Sequence, residues 1–180
     1  MKTTTGGDTA RLFFAAWPAA GVQDALHAVA ERARRECGGR PVPQGNIHLT
    51  LAFLGNVPRD RLRQIEAVAG SIDGSRCDIE VDRLQYWKHN RILWAGVERC
   101  PESLAGLAGK LSAGLRAIGF KLDDRPYVLH VTLLRNARCA PAERSIAPVA
   151  WPIADVALVE SVQRGDGRAY EVLRRWPLGC

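Results

Sequence analysis

The sequence predicts a two-lobed fold that mixes strands and helices in both halves, and three observations predict it. Segments with apolar residues at every second position alternate with segments at the helical period before and after the middle of the chain. The tetrapeptide His-x-Thr-Leu occurs at 48–51 and again at 130–133. Each copy follows a proline-containing loop, PVPQGN or DDRP, and each loop follows an amphipathic helix pattern, so the repeat extends to local architecture and points to duplication of one lobe.

The elements follow in order. MKTTTGGDTA (1–10) is polar and rich in Gly and Thr, and is expected to be a mobile tail before a single two-lobed domain over 11–180. RLFFAAW (11–17) reads as a strand stopped by Pro18. From Val22, the residues Ala25, Leu26, Val29, Ala30 and Ala33 recur at three and four, which predicts one helix closing before Gly38 and Gly39. NIHLTLAFLG (46–55) alternates Ile47, Leu49, Leu51 and Phe53 with Asn46, His48, Thr50 and Ala52, a strand with one face in a core. His48 and Thr50 then point the same way.

A second helix is expected from near Pro58, with Leu62, Ile65, Ala69 and Ile72 on one side. DIEVDRLQYW (78–87) and RILWAGVE (91–98) read as strands paired around a KHN turn. Residues 101–119 carry Leu104, Leu107, Ala108, Leu111, Leu115 and Ile118 at the 3.6 period, with a proline at the front and Gly119 at the end. YVLHVTLL (127–134) repeats the alternation of the first motif strand. VALVESVQ, a GDG turn and RAYEVLRRW close the chain as a hairpin.

Composition narrows the function. At 180 residues, 47% apolar and 24% charged, the chain is long enough for a real core and is globular in character rather than disordered. A net charge of +6 permits an anionic partner without naming one, because the basic runs RARR (32–35) and RDRLR (59–63) both fall on expected helices and suit a solvated face. Five scattered cysteines form no CxxC pair and leave one over, which argues against a disulfide framework and a zinc site and fits a reducing, cytoplasmic setting. LFFAAWPAAGV imitates a signal peptide only faintly, since Pro18 interrupts it, and no stretch is long enough to span a membrane. There is no GxGxxG and no GxxxxGK[ST] run, so neither a dinucleotide fold nor a nucleotide triphosphatase is supported.

The repeat carries the chemistry. One His-x-Thr in a strand is an ordinary hydrogen-bonded pair. Here two of only four histidines stand in matched strand contexts, while His27 falls on the polar side of a helix and His89 in a turn. Cleaving a phosphodiester needs one group to take a proton from the nucleophile and one to give a proton to the leaving oxygen, and imidazoles near neutrality suit both tasks. Threonine hydroxyls beside them can donate to the non-bridging oxygens where charge accumulates. Two related lobes would set one phosphate between His48 and His130, Thr50 and Thr132.

The paired motifs resemble those of the two-histidine (2H) phosphoesterase superfamily. Within it, RLFFAAWP, NIHLTLAFLG, the DRL strand, RILWAGV, LDDRPYVLHVTLLR and YEVLRRWPL resemble the bacterial and archaeal RNA 2′,3′-cyclic phosphodiesterases, historically called 2′-5′ RNA ligases, in order and spacing from about Arg11 to Leu178. The resemblance implies a bilobal α+β fold, with helices packed on antiparallel sheets around an open basic cleft. It implies hydrolysis of RNA 2′,3′-cyclic phosphate ends to 2′-phosphates without metal or cofactor, and weak 2′-5′ ligation in some relatives. Carried onto this chain, it makes His48 the acid toward the 3′ oxygen and His130 the activator of water, roles that pseudo-symmetry makes exchangeable. Thr50 and Thr132 become phosphate donors, and Arg135 matches a basic residue just past the second motif. Phe13, Phe53 and Tyr127 are aromatics near the expected cleft on which a terminal base could stack, with Phe13 and Phe53 equally suited to the core.

Three other readings remain at this point: an enzyme of the same superfamily acting on a small cyclic nucleotide or ADP-ribose cyclic phosphate, a nucleotide-binding module that has lost turnover, and a noncatalytic RNA-binding protein, against which the absence of aromatic RNP-type signatures counts. A monomer without an obligate protein partner is expected, because no exposed apolar helix stripe or heptad is evident.

Overall fold

The computed structural model describes residues 8–165 and 167–179. Its elements are β1 (Thr9–Ala16), α1 (Ala20–Cys37), β2 (Arg40–Pro41), β3 (Leu49–Pro58), α2 (Leu62–Gly70), β4 (Cys77–Trp87), β5 (Ile92–Gly96), α3 (Glu102–Ala117), β6 (Val131–Arg135), β7 (Ser145–Ile153), β8 (Asp155–Arg164) and β9 (Gly167–Pro177). They build two antiparallel sheets, one ordered β3-β1-β8-β9 and the other β2-β6-β5-β4-β7. The bilobal α+β fold follows.

The lobes are not consecutive halves of the chain. The C-terminal hairpin β8-β9 completes the sheet begun by β1 and β3, whereas β2 crosses to the edge of the second sheet. Helix α1 packs on β6 and β7 of that second sheet, and α3 packs against β3 and α2. The buried stripe of α1 is Leu26, Ala30, Ala33 and Cys37, and that of α3 is Leu104, Leu107, Ala108, Leu111 and Leu115, both at the spacing the sequence showed. One continuous core joins both sheets, so the two lobes share a hydrophobic interior.

Several expectations change. The expected tail over 1–10 stops short: β1 already begins at Thr9, and Arg59 holds Asp8 by an ion pair, while residues 1–7 lie outside the described ones. The GDG turn cannot be judged whole, because Asp166 also lies outside them. Both motif strands start later than their alternation implied, at Leu49 and Val131, so each histidine sits just ahead of its strand. Two strands were not foreseen, β2 and β7. Strand β7 holds Pro148 and Pro152, and it tolerates them because it is an edge strand whose outer side needs no ladder donors.

The fold also brings together the free thiols of Cys37 and Cys139, their sulfurs 2.8 Å apart, a contact that linear spacing could not reveal. Burial pushes the Cys37 thiol up to about 12, so it stays protonated at neutral pH.

Trp151 on β7 is 2% exposed and is among the largest fully buried side chains. Trp151→Ala is expected to destabilise the fold by about 3–5 kcal/mol, from lost transfer energy and the cavity left behind. Urea unfolding with an unchanged slope would give the value.

Candidate active site

Strict alternation predicts that Leu51 and Phe53 share the core face of β3, but a β-bulge breaks it. Phe14 pairs with Ala52 and Ala15 with Thr50, leaving Leu51 without an opposite residue. Thr50 therefore shares a face with Ala15, Ala52 turns to the core, and Phe53 lies opposite Phe13 on the Thr50 side. Strand β6 repeats the device. Leu93 pairs with Leu134 and Trp94 with Thr132, so Leu133 is the extra residue and Arg135 returns to the face of Thr132. Phe53 thus stands to His48 as Arg135 stands to His130.

Each histidine is oriented in the same way. His48 Nδ1 lies 2.7 Å from the carbonyl oxygen of Asn46, and His130 Nδ1 lies 2.8 Å from that of Val128. A carbonyl only accepts, so each Nδ1 carries the proton and donates it, and each Nε2 is left as an acceptor. His48 Nε2 sits 3.1 Å from Thr50 Oγ1, whose hydroxyl donates to it.

Both rings rest on aromatic shelves that the sequence reading missed. The His48 ring lies 4.9 Å from Phe13 and 5.3 Å from Trp17, with which it is nearly parallel at 4°, and Tyr170 meets it edge-on at 5.1 Å. His130 lies 4.8 Å from Trp87 and 6.0 Å from Trp94. The signal for one shelf was available: Phe13, Ala15 and Trp17 alternate along β1, and they face away from the main core. Tyr170, Trp87 and Trp94 arrive from distant strands and are visible only after folding. Gly96 makes room for one of them, since a Cβ there would fall 2.6 Å from the Trp94 ring.

These shelves set the electrostatics. Loss of water pushes His48 down to about 4, and the charges of Arg135 and His130 lower it further against the opposing bond to Asn46. His130 is lowered for the same first reason, desolvation. Both imidazoles are neutral at pH 7 in the free protein. The Tyr127 hydroxyl bonded to the Thr50 carbonyl and the contact between β3 and β6 bring the second motif close to the first.

The expected residues fare unequally. His48 and Thr50 share a face at the start of β3, His130, Thr132 and Arg135 share one at β6, and β3 and β6 are in contact; Arg135 is exposed and, among the described residues, has no carboxylate at ion-pair distance. Phe13 does not offer a stacking face, because it is 3% exposed and covered by His48 and Tyr170; it is a support for the histidine. Tyr127 is also a support: it is half-buried against the core, and its hydroxyl donates to the Thr50 carbonyl at 3.3 Å, tying the second motif loop to the first motif strand. Phe53 is 47% exposed, with the Arg11 guanidinium 4.7 Å from its ring centre, and remains able to stack. A cavity of about 300 Å³ touches this region through Trp17, and neither histidine lines it.

Residues 17–94 match the family described as LigT-like phosphoesterase. An Escherichia coli protein named RNA 2′,3′-cyclic phosphodiesterase is 34% identical over 174 residues, covering 93% of this chain and 96% of that protein. The chain belongs to the LigT-like phosphoesterases. This two-histidine family is the one its paired motifs resemble. A Thermus thermophilus protein of the same name is 32% identical, covering 93% of this chain and 90% of its own length. The crystal structure of E. coli LigT complexed with 3′-AMP superposes with a TM-score of 0.89 at 29% identity, covering 95% of this chain and 99% of that one.

Losing Arg135 removes the charge best placed for an anion. Arg135→Ala is expected to raise KM for a phosphate-bearing substrate about tenfold or more, as loss of a charge-assisted bond does. It also removes a positive charge acting on His48, so the His48 titration followed by NMR moves upward.

Proposed function

We propose that this chain is an RNA 2′,3′-cyclic phosphodiesterase, leaving a 2′-phosphate, and that His48 and His130 are its acid–base pair. The observation that carries this reading is the matched setting of the two imidazoles: each Nδ1 is anchored on a backbone carbonyl, which makes each Nε2 the acceptor, with Thr50 Oγ1 on that of His48. One imidazole takes a proton from water as the water oxygen bonds to phosphorus. The other gives a proton to O3′ as the P–O3′ bond breaks, and the phosphate stays on O2′. Thr50 and Thr132 donate to the non-bridging oxygens, Arg135 holds their charge, and Phe53 offers its open face to the terminal base. The same transfers run toward a 5′-hydroxyl nucleophile would give a 2′-5′ linkage. The names of the relatives support the substrate class.

The test is a short RNA ending in a 2′,3′-cyclic phosphate, incubated in EDTA, with the product phosphate position read by NMR. A 2′-phosphate is expected. A 3′-phosphate, or no turnover by folded protein, overturns the reading.

The pH profile has a definite direction. Turnover requires one protonated and one neutral histidine, and both are lowered in the free protein. The singly protonated form is most populated between their two values, so kcat/KM is expected to peak below pH 6.5, with its acidic limb near 4. A bound phosphate anion favours imidazolium, so the kcat profile lies at higher pH than that of kcat/KM.

A further inference from the structure

Arg40 and Arg135 are opposite one another in the β2–β6 ladder. Directly opposed residues of an antiparallel pair project to the same face, and like charges there repel. Among the described residues neither arginine has a carboxylate at ion-pair distance. The repulsion is nevertheless built in firmly. Val42 N–H donates to the Leu133 carbonyl at 2.8 Å, and Gly39, at φ +87°, comes so close that a Cβ would lie 2.8 Å from the Arg135 carbonyl oxygen. Nearby Arg138, whose guanidinium lies against Gly38, adds further positive charge, and Glu36 is engaged by the Ala142 N–H.

The arginine is also an asymmetry between the lobes. In the other sheet β3 is the outer strand, whereas β6 is covered by β2, a two-residue strand that carries Arg40. From there the chain turns once and delivers His48 to the opposite sheet. An unpaired arginine held beside the phosphate arginine, at the start of the segment that leads to a catalytic histidine, is placed for a second anion one step along the same ligand.

We infer that Arg40 binds the 5′ phosphate of the nucleotide whose 2′,3′-cyclic phosphate lies at Arg135, and thereby makes the enzyme prefer a chain end over a lone nucleoside cyclic phosphate. The inference rests on the function proposed above. In an RNA chain that 5′ phosphate is the diester to the preceding nucleotide. A nucleoside 2′,3′-cyclic phosphate lacks it.

The experiment compares two substrates that differ in one group, adenosine 2′,3′-cyclic phosphate with and without a 5′-phosphate. The readout is the ratio of their kcat/KM values, which cancels any general loss of active protein. Wild type is expected to favour the 5′-phosphorylated substrate about tenfold or more, a preference that weakens with salt. Arg40→Ala should bring the ratio near one, and Arg40→Lys should restore part of it. A ratio unchanged by Arg40→Ala overturns the inference. So does a loss that is equal on both substrates, which would put Arg40 on the cyclic phosphate itself. Hydrolysis of neither substrate, nor of the RNA end, by folded wild type would instead sink the parent reading.

Discussion

His48→Ala and His130→Ala are each expected to lower turnover of an RNA 2′,3′-cyclic end by about 10²–10⁴-fold, while the fold survives. Survival follows from position: both residues lie just ahead of their strands and are only partly buried. A leaving-group substitution then separates their roles. In a substrate whose 3′ oxygen is replaced by sulfur, the thiolate departs without a proton, so the variant lacking the acid recovers and the variant lacking the base does not. The role assignment implied by the family resemblance makes His48 the residue rescued. The electrostatics make this a demanding test, because burial pushes His48 down to about 4 in the free protein and so disfavours the protonated form that an acid needs. If His130→Ala is the variant rescued, the roles are reversed. If neither recovers, proton donation to the leaving oxygen is not what either histidine supplies.

How far the sequence reached can be traced through single residues. Helices were legible because their pattern is local: the stripe from Leu104 to Leu115 fixes α3 without knowledge of its partner. The paired histidines and threonines could be singled out as candidates because the motif occurs twice. The face of Phe53 was not, since a bulge inverts the alternation after Thr50, and bulges are set by the partner strand rather than by the bulged one. The same displacement at Leu133 puts Arg135 on the face of Thr132, which simple alternation would not have done. Strand β7 escaped because its prolines argue against a strand until its edge position is known. Trp17, Trp87, Trp94 and Tyr170 were unassigned for a different reason: their role is to dry the histidines, and only three-dimensional proximity reveals it.

Those bulges also explain why two similar strands do different work. After His-x-Thr, the residue returned to the cleft is an aromatic in one lobe and a guanidinium in the other. One lobe therefore offers a flat apolar face with Arg11 behind it, and the other offers fixed positive charge. A nucleotide has the same division between base and phosphate, so under the proposed function the two faces would orient it while the paired histidines and threonines stay matched.

The threonines give the second large effect. Thr50→Val and Thr132→Val keep the β-branched shape and remove only the hydroxyl, and each is expected to lower kcat about 10²–10³-fold with a smaller change in KM, as loss of a transition-state donor does. Thr→Ser at either position should retain most of the rate. Stereochemistry then tests which oxygen each hydroxyl serves. In the proposed mechanism the two motifs approach the phosphate from opposite lobes and would meet different non-bridging oxygens. Replacing one of those oxygens by sulfur yields two diastereomers, and sulfur accepts hydrogen bonds poorly. Wild type should discriminate against each diastereomer, whereas Thr50→Val loses its discrimination against one and Thr132→Val against the other. Thr50 has the sharper signature, because in the free protein its hydroxyl is engaged with His48 Nε2 and must turn to the phosphate. That exchange couples donor to acid–base group: when the hydroxyl leaves, Nε2 is released for proton transfer in the same motion, so Thr50→Val should also shift the His48 titration while Thr132→Val leaves it in place.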